Sequence, residues 1–595
     1  MNRIKVLPVY PEFPLTFWSY KGAVEIVGKK ASMPPTGLAT VLAMLPDEHF
    51  TVQPLVDMNV EELTDKHIQD ADILFTSTML IQESAHNAVV ARAHRFGKKV
   101  VAGGPFVTTY PEKTDADFIV GGEAEVTLPV FLEDLLNGAT KGIWTEESVA
   151  HRSVAHLTRT GKIDVTNTPL PRWDLLNLEN YASAAIQYSR GCPFNCDFCD
   201  ITKLFGREPR TKTPEQMTRE LDALHTRGHR GSVFIVDDNF IGNLKNVRQL
   251  LPVLKGWQER NGYPYSLFTE ASMNLAADEN ADILQGMHDA GFDFVFLGIE
   301  SVDNDVLRGM KKSQNTRMSQ LEAVRRIQKA GLEVSGGFII GSDGENEQVF
   351  DGLFDFIQQA GIPVPMPGLL TVIKGTDLYK RLETEGRLRS DSNGNNVYQR
   401  SFNFTPQLDE RFLVEGYKDL VSRLYDPENY YARCRTLQHT VGPSNYKRGF
   451  SINDLAILGR SLGRQMFREG GWEYLKYVTE TALTNPRYIG TAFAHAIKFD
   501  HFRKIKDEMS RADAYVPHTD SLYEHFSHEA GRIYANGKLE LQERLRLISN
   551  RAHAVVDRAE GGFIRLHKDF RSGAQRALDS LKVKIGDELT RYGKV

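Results

Sequence analysis

Cysteine is scarce in this chain, with four among 595 residues. That excludes a disulfide-stapled secreted scaffold, which carries cysteine densely over a short length. Long apolar runs are missing too. No stretch reaches the ~18 consecutive apolar residues of a membrane-spanning helix. Residues 1–11 carry neither the basic start nor the apolar core of a secretory leader, so the expected compartment is the reducing cytoplasm. Nor is there an excess of charge of one sign: 72 Lys and Arg face 77 Asp and Glu, for a formal net charge of −5. A field that weak does not recruit nucleic acid. Low-complexity tracts and repeats of ~20 to 50 residues are absent, which removes solenoids and disordered chains.

What is present is the balance of a folded protein, 41% apolar and 25% charged, on a chain long enough for three or four domains. Residues 1–150 alternate helical stretches with apolar runs at 4–9, 51–56, 73–78, 99–102 and 118–120. The alternation predicts an α/β fold that begins with a flavodoxin-like, doubly wound parallel sheet. Small residues close three of the runs, in Thr76-Ser77-Thr78, Gly103-Gly104-Pro105 and Gly121-Gly122-Glu123. Ligands of such sheets sit beyond the carboxyl ends of the strands, where small residues let backbone come close. Each glycine taken singly serves equally as a turn.

Residues 151–182, with Thr168-Pro169-Leu170-Pro171, read as a linker. From 183 to 385 a second series carries strand-like runs at 184–188, 232–236, 265–271, 292–299, 333–340 and 368–373, separated by helical segments such as 214–224, 281–290 and 316–330. Six strand-helix units predict a partial (β/α)6 barrel of the TIM type, with chemistry at the carboxyl ends of its strands. From 386 to 595 the periodicity is that of helices. Basic segments there, 498–506 and 571–584, suit a membrane surface or an anionic substrate, or are solvated helix faces.

Three of the four cysteines fall in Tyr188-Ser-Arg-Gly-Cys192-Pro-Phe-Asn-Cys196-Asp-Phe-Cys199, directly after the first strand of the second series. Gly191, Pro193 and Asn195 favour a wrapped loop over a helix. Iron-sulfur clusters usually take four cysteines; three local ones leave an iron open, as catalytic zinc sites keep a position unfilled. Structural zinc is the alternative, but no further Cys or His follows closely to complete it. Arg207 and Arg210 could balance the cluster's charge, meet an anionic substrate or stand exposed. Cys434, in Tyr431-Ala-Arg-Cys434, reads as a buried structural thiol.

The segment CPFNCDFC resembles the CxxxCxxC signature of the radical S-adenosylmethionine (SAM) superfamily, including the aromatic Phe198 before the last cysteine. The resemblance implies that Cys192, Cys196 and Cys199 hold a [4Fe-4S] cluster whose open iron is chelated by the amine and carboxylate of SAM. SAM would then be cleaved to methionine and a 5′-deoxyadenosyl radical that takes hydrogen from a substrate. It also implies SAM contacts at Phe198, at Asp238 in Asp237-Asp238-Asn239, at Glu270 and Ser272, at Glu300 in Gly298-Ile299-Glu300-Ser301, and at Gly341 in Gly337-Phe-Ile339-Ile-Gly341. Carboxylates suit the donor-rich amine and ribose of SAM, although each also serves as a solvated loop end or a helix cap. Glu345 stands one residue late for the superfamily's GxIxGxxE pattern and is given no contact.

A flavodoxin-like sheet ahead of such a barrel is similar to the cobalamin-binding group of that superfamily, including its hopanoid and bacteriochlorophyll methylase-like members. The likeness rests on Phe17-Trp18, Met33-Pro34-Pro35-Thr36-Gly37, Gly103-Gly104-Pro105, Gly122-Glu123, the span 186–242 and the trailing helical region. It implies cobalamin contacts at Ser77, Gly103, Gly104 and Glu123. The DxHxxG loop of cobalamin-dependent synthases and mutases has no full counterpart, because Asp57-Met58-Asn59-Val60 lacks its histidine and glycine. The lower cobalt face is therefore expected to be empty, water-bound or covered by another side chain.

The implied reaction is methylation of an unactivated carbon at the expense of two SAM molecules. Radical cyclisation, oxidation, rearrangement or carbon-carbon coupling without methyl transfer is the alternative, and a sensing protein without turnover a more distant one. A small-molecule substrate, a lipid or a tetrapyrrole, and a reducing partner such as flavodoxin or ferredoxin follow from the same likeness, as does peripheral membrane contact. No single residue is assigned as the catalyst.

Overall fold

The computed structural model describes residues 3–16, 19–152, 157–394, 402–445 and 452–593. Phe17-Trp18, on which part of the family likeness rests, lies outside the described residues. The chain divides into two units, residues 1–14 with 18–500 and residues 15–17 with 501–595.

The first unit contains two parallel sheets. One is built from β1 (Ile4–Tyr10), β2 (Phe50–Val52), β3 (Val56–Asp57), β4 (Ile73–Ser77), β5 (Lys99–Gly103), β6 (Phe118–Val120) and β7 (Gly142–Trp144). Its order is β2-β1-β4-β5-β6-β7, with β3 pairing further along β1. Counting β2 and β3 as one interrupted strand gives the flavodoxin order, whose switch point lies between β1 and β4. The expected run 51–56 is interrupted because Pro54 has no N–H to give the ladder. β7 has no counterpart among the expected runs; three residues at a sheet edge are too few to show a period.

Side chains alternate across β1, so Val6 joins a core with Phe75, Phe131 and Trp144 on one face, while Leu7 and Val9 join Leu74, Val89 and Val100 on the other. Each fully buried side chain of this kind stabilises the fold by roughly 1.5–3 kcal/mol.

The second series forms β8 (Ser183–Ile186), β9 (Ser189–Arg190), β10 (Arg210–Thr211), β11 (Gly231–Ile235), β12 (Tyr265–Ala271), β13 (Phe292–Glu300), β14 (Glu333–Ile340) and β15 (Pro365–Leu369). Six of these pair in parallel and in chain order, β8-β11-β12-β13-β14-β15, as an open barrel wall. The last strand starts three residues before the expected 368–373. Pro365 and Pro367 argue against a strand in sequence, but among the described residues β15 pairs only with β14, and an edge strand tolerates missing N–H groups. β9 and β10 form a separate antiparallel pair at the base of loop 191–209, which carries the three cysteines.

Beyond the barrel the first unit continues in helices, among them Glu410–Leu424 and Pro427–Thr440, capped by Asp409 and Asp426. Cys434 is fully buried in the second of these, and burial pushes its thiol up to about 12. Lys498 turns inward to Glu333 rather than outward to solvent.

The second unit takes its core from Tyr515, Leu522, Phe526, Ile548, Val555, Leu578 and Leu581, on the C-terminal part of helix Ile489–Tyr534 and on helices Leu541–Arg565 and Arg571–Gly593. Two of its basic residues are engaged locally: Arg571 donates to the Leu566 and Ile564 carbonyls, and Lys584 pairs with Asp520. Among the described residues no helix is long and apolar enough to cross a membrane.

Candidate active site

β8 delivers the chain to the cysteine loop, and the end of β11 fixes the turn that follows. Asp237 accepts from the Tyr188 N–H at 2.8 Å and from Ser189 Oγ at 2.6 Å, while Asp238 accepts from the Gly191 N–H at 3.0 Å. Gly191 sits at φ +93°, and a Cβ there would lie 2.9 Å from the Gly206 carbonyl oxygen. Only glycine lets the backbone turn so closely into Cys192.

Cys192, Cys196 and Cys199 are unbridged and half-buried. Asn239 Nδ2 donates to Cys192 Sγ at 3.8 Å and Gln314 Nε2 to Cys196 Sγ at 3.5 Å. Burial pushes the Cys192 thiol up, and that of Cys199 to about 12, so both keep their protons until a metal displaces them. No group of three His, Cys, Asp or Glu among the described residues is placed to hold a single ion. A zinc ion needs thiolates converging at about 2.3 Å from one centre. Three unbridged thiols on one loop, with amide donors aimed at two of the sulfurs, fit a multi-iron cluster with one iron left to another ligand.

Carboxylates gather at the neighbouring strand ends. Burial raises Asp237 to about 7, Asp238 to about 6 and Glu270 to about 7, and the surrounding acids add to the rise at Glu270. Glu300 closes β13 at φ +65°, after a register shift between Gly298 and Glu300. A bulge of this kind re-aims a side chain and stores strain. Glu300 pairs with Lys312, whose ammonium lies 5.7 Å from the centroid of the Phe198 ring. Burial opposes the charge on Lys312, but Glu300 outweighs it and raises its pKa. A Cβ on Gly298 would lie 2.5 Å from Glu300 Oε1 and 2.6 Å from Lys312 Nζ, so the pair occupies the space a side chain would need.

Ser272 Oγ donates to Asn239 Oδ1 at 3.2 Å, which links the end of β12 to the donor on Cys192. Gly341, at φ +97°, gives its N–H to Glu345 Oε2 at 2.8 Å. Glu345, assigned no ligand contact from its spacing, thus holds the turn that closes β14. A cavity of about 160 Å³ opens here, lined by Phe198, Met310, Ser342, Leu370 and Phe404, with Asp197 and Arg381 in its wall. Lys312 and Gln314 carry no sequence motif; they come to the thiols only because the turn after helix Asn304–Gly309 returns to the loop.

At the first sheet, Ser77 ends β4 with Thr78 next to it, and Gly103 ends β5 with Gly104 next to it. Gly104 takes φ +93°, and a Cβ there would lie 2.7 Å from the Thr78 nitrogen. Thr78 Oγ1 is buried without a hydrogen-bond partner among the described residues. Gly104 is thus required by its packing against the Thr78 backbone, and the unsatisfied hydroxyl beside it at the strand ends fits a ligand bound beyond them.

Glu123 stands apart from that arrangement. Its carboxylate accepts from Arg190 at 3.1 Å and from Arg210 at 2.9 Å, and its side chain is 1% exposed. The oxygens expected to meet cobalamin are thus occupied by two arginines. Arg210 is correspondingly buried rather than facing solvent, whereas exposed Arg207 donates to the Pro193 carbonyl. Asn59, in the place of the missing histidine, is tied down as well: its Nδ2 donates to Asp57 Oδ1 at 2.7 Å and its Oδ1 accepts from the Phe13 N–H at 2.8 Å.

Residues 29–132 match the B12 binding domain, residues 186–357 the Radical SAM superfamily, and residues 376–514 a domain of unknown function, DUF4070. The chain is 42% identical over 473 residues to the uncharacterized methyltransferase sll1242 of Synechocystis sp., covering 78% of this chain and 84% of that one. It is 37% identical over 426 residues to the hopanoid C-2 methylase of Rhodopseudomonas palustris, covering 71% and 77%. The radical S-adenosylmethionine methyltransferase TsrM from Kitasatospora setae shares the fold at a TM-score of 0.53 and 14% identity, over 81% of this chain and all of that one. Three unbridged thiols on one loop, a flavodoxin-type sheet ahead of a parallel barrel wall and these matches place the chain in the cobalamin-binding radical SAM family, as an enzyme of C-methylation that works with a [4Fe-4S] cluster, SAM and cobalamin.

Proposed function

We propose that the enzyme methylates an unactivated carbon of a polycyclic, mostly apolar small molecule, with a hopanoid-type lipid as the first candidate and a tetrapyrrole as the second. The observation that carries the reading is the loop of three unbridged thiols bordered by buried carboxylates, on the same unit as the flavodoxin-type sheet. The substrate class is supported by the hopanoid C-2 methylase, which matches across 71% of this chain.

When bound, the cluster, SAM and cobalamin supply the radical that removes a hydrogen and the methyl group that takes its place. Cys192, Cys196 and Cys199 hold the irons, while Asn239 and Gln314 orient and shield two of the sulfurs. Asp238, Glu270 and Glu300 accept from the amine and ribose hydroxyls of SAM, with Ser272 positioning Asn239. The cavity beside Phe198 takes the adenine, and the backbone at Gly341 borders it. Ser77, Gly103 and Gly104, at the strand ends, border the cobalamin, and Thr78 offers it a hydrogen bond. Phe198, Met310, Leu370 and Phe404 in the cavity wall limit access of the water that would quench a radical. An electron carrier of the flavodoxin or ferredoxin type completes the system, and a lipid substrate brings the protein to a membrane surface.

The test is anaerobic purification with cobalamin supplied, followed by incubation with a reductant, methyl-deuterated SAM and either a hopene-type lipid or a tetrapyrrole. A product carrying the labelled methyl group is expected. Formation of 5′-deoxyadenosine with a product that gains no carbon would replace this reading with a radical cyclisation or oxidation.

A further inference from the structure

Arg190 and Arg210 are cross-strand partners in the β9–β10 pair, at the base of loop 191–209. Both guanidiniums leave the barrel and meet carboxylates at the start of helix Ala124–Leu136, just beyond β6. Arg190 donates to Glu125 at 2.8 and 3.0 Å and to Glu123 at 3.1 Å; Arg210 donates to both oxygens of Glu123 at 2.9 Å. The four side chains are between 1% and 12% exposed. Arg210 also donates to the Ile163 carbonyl at 2.7 Å and, within the loop itself, to the Phe205 carbonyl at 2.8 Å. Lys162 extends the tie, bridging Glu146 and the Leu204 carbonyl at 2.9 Å each.

We infer that this buried network of two arginines and two glutamates is a positioning device, which holds the cysteine loop in register with the first sheet and so sets the separation of the cluster from cobalamin. The inference rests on the proposed reading of those two sites. A planar guanidinium with two bonds to one carboxylate fixes orientation as well as distance, which a lysine would not. Removing one member leaves another buried and uncompensated. The strain then falls on the loop base, because Arg190 stands two residues before Cys192.

Glu125→Gln and Arg210→Lys test this in the full chain. Amide hydrogen exchange is measured on protein without cofactors, and the dipolar coupling between the reduced cluster and cob(II)alamin on the loaded enzyme. Peptides from 191–209 should exchange ~10-fold faster while β12 keeps its protection, and the coupling should broaden at unchanged iron and cobalt content. Unchanged exchange in the loop, or faster exchange spread evenly over both sheets, would overturn the proposal, the latter by reducing the network to ordinary stability. If Glu125→Gln does not fold, Glu125→Asp keeps the charge, withdraws it by one methylene and gives the same readout. A chain that shows the exchange result yet takes up no cobalamin would refute the proposed function and leave the clamp standing.

Discussion

Lys312 and Glu300 form an ion pair at the end of β13, each side chain only 10% exposed, beside the thiols of Cys196 and Cys199. Lys312→Met removes the charge that compensates Glu300 and should cost about 3–5 kcal/mol. Glu300→Gln combined with Lys312→Met should recover most of that loss, because no buried charge is then left alone. Urea denaturation of the two single variants and the double variant measures the coupling; additive losses would mean that the two groups do not interact.

The three cysteines of the loop and Cys434 should separate cleanly. Cys192→Ala, Cys196→Ala and Cys199→Ala are each expected to abolish reconstitution of the iron-sulfur absorption. Cys434→Ala, at a fully buried position of helix Pro427–Thr440, should reconstitute normally and lose about 1 kcal/mol in stability through its small cavity. Iron analysis alongside thermal melting distinguishes the two classes.

Gly104→Ala places a Cβ 2.7 Å from the Thr78 nitrogen at φ +93°. The backbone must shift, at a cost on the order of 1–3 kcal/mol, and cobalamin uptake should fall at least tenfold with iron content unchanged. Thr78→Val keeps the shape and removes the unpartnered hydroxyl, so it should weaken uptake without destabilising the chain. Equal cobalt retention in both variants would place the ligand elsewhere.

Acid should unfold the first unit through two specific carboxylates. Burial alone would raise Glu125, but Arg190 reverses it and holds it at about 2; burial likewise opposes Glu333, which Lys498 and His495 hold at about 2. With an unfolded value near ~4.3, the native state binds fewer protons than the unfolded chain in this range. Both contributions are therefore complete above about pH 5 and are lost as pH falls toward about 2. Each is roughly 3 kcal/mol. Glu125→Gln should flatten the pH dependence of stability across that window; a slope equal to that of the parent would disprove the assignment.

Several features of the site were legible in sequence because they are local. The spacing of Cys192, Cys196 and Cys199 is a property of one loop, and the strand-helix alternation follows from each element burying its own apolar face. The glycines at 104, 191 and 341 mark turns whose positive φ is a local property of the chain. The departures arose where distant segments meet or where an edge changes the rules. β15 tolerates prolines because no strand among the described residues pairs with its outer side, and β2 and β3 look like one run until Pro54 splits them.

The sequence by itself determined the two α/β series, the thiol trio and the small residues at the strand ends, since backbone propensity and hydrophobic period act over short spans. Only the tertiary structure decided that Glu123 belongs to Arg190 and Arg210, 67 and 87 residues away, and that Gln314 reaches Cys196 across 118 residues. A charge or an amide carries no directional pattern along the chain. Its partner is settled when burial removes water and leaves the nearest complementary group as the only means of satisfying it.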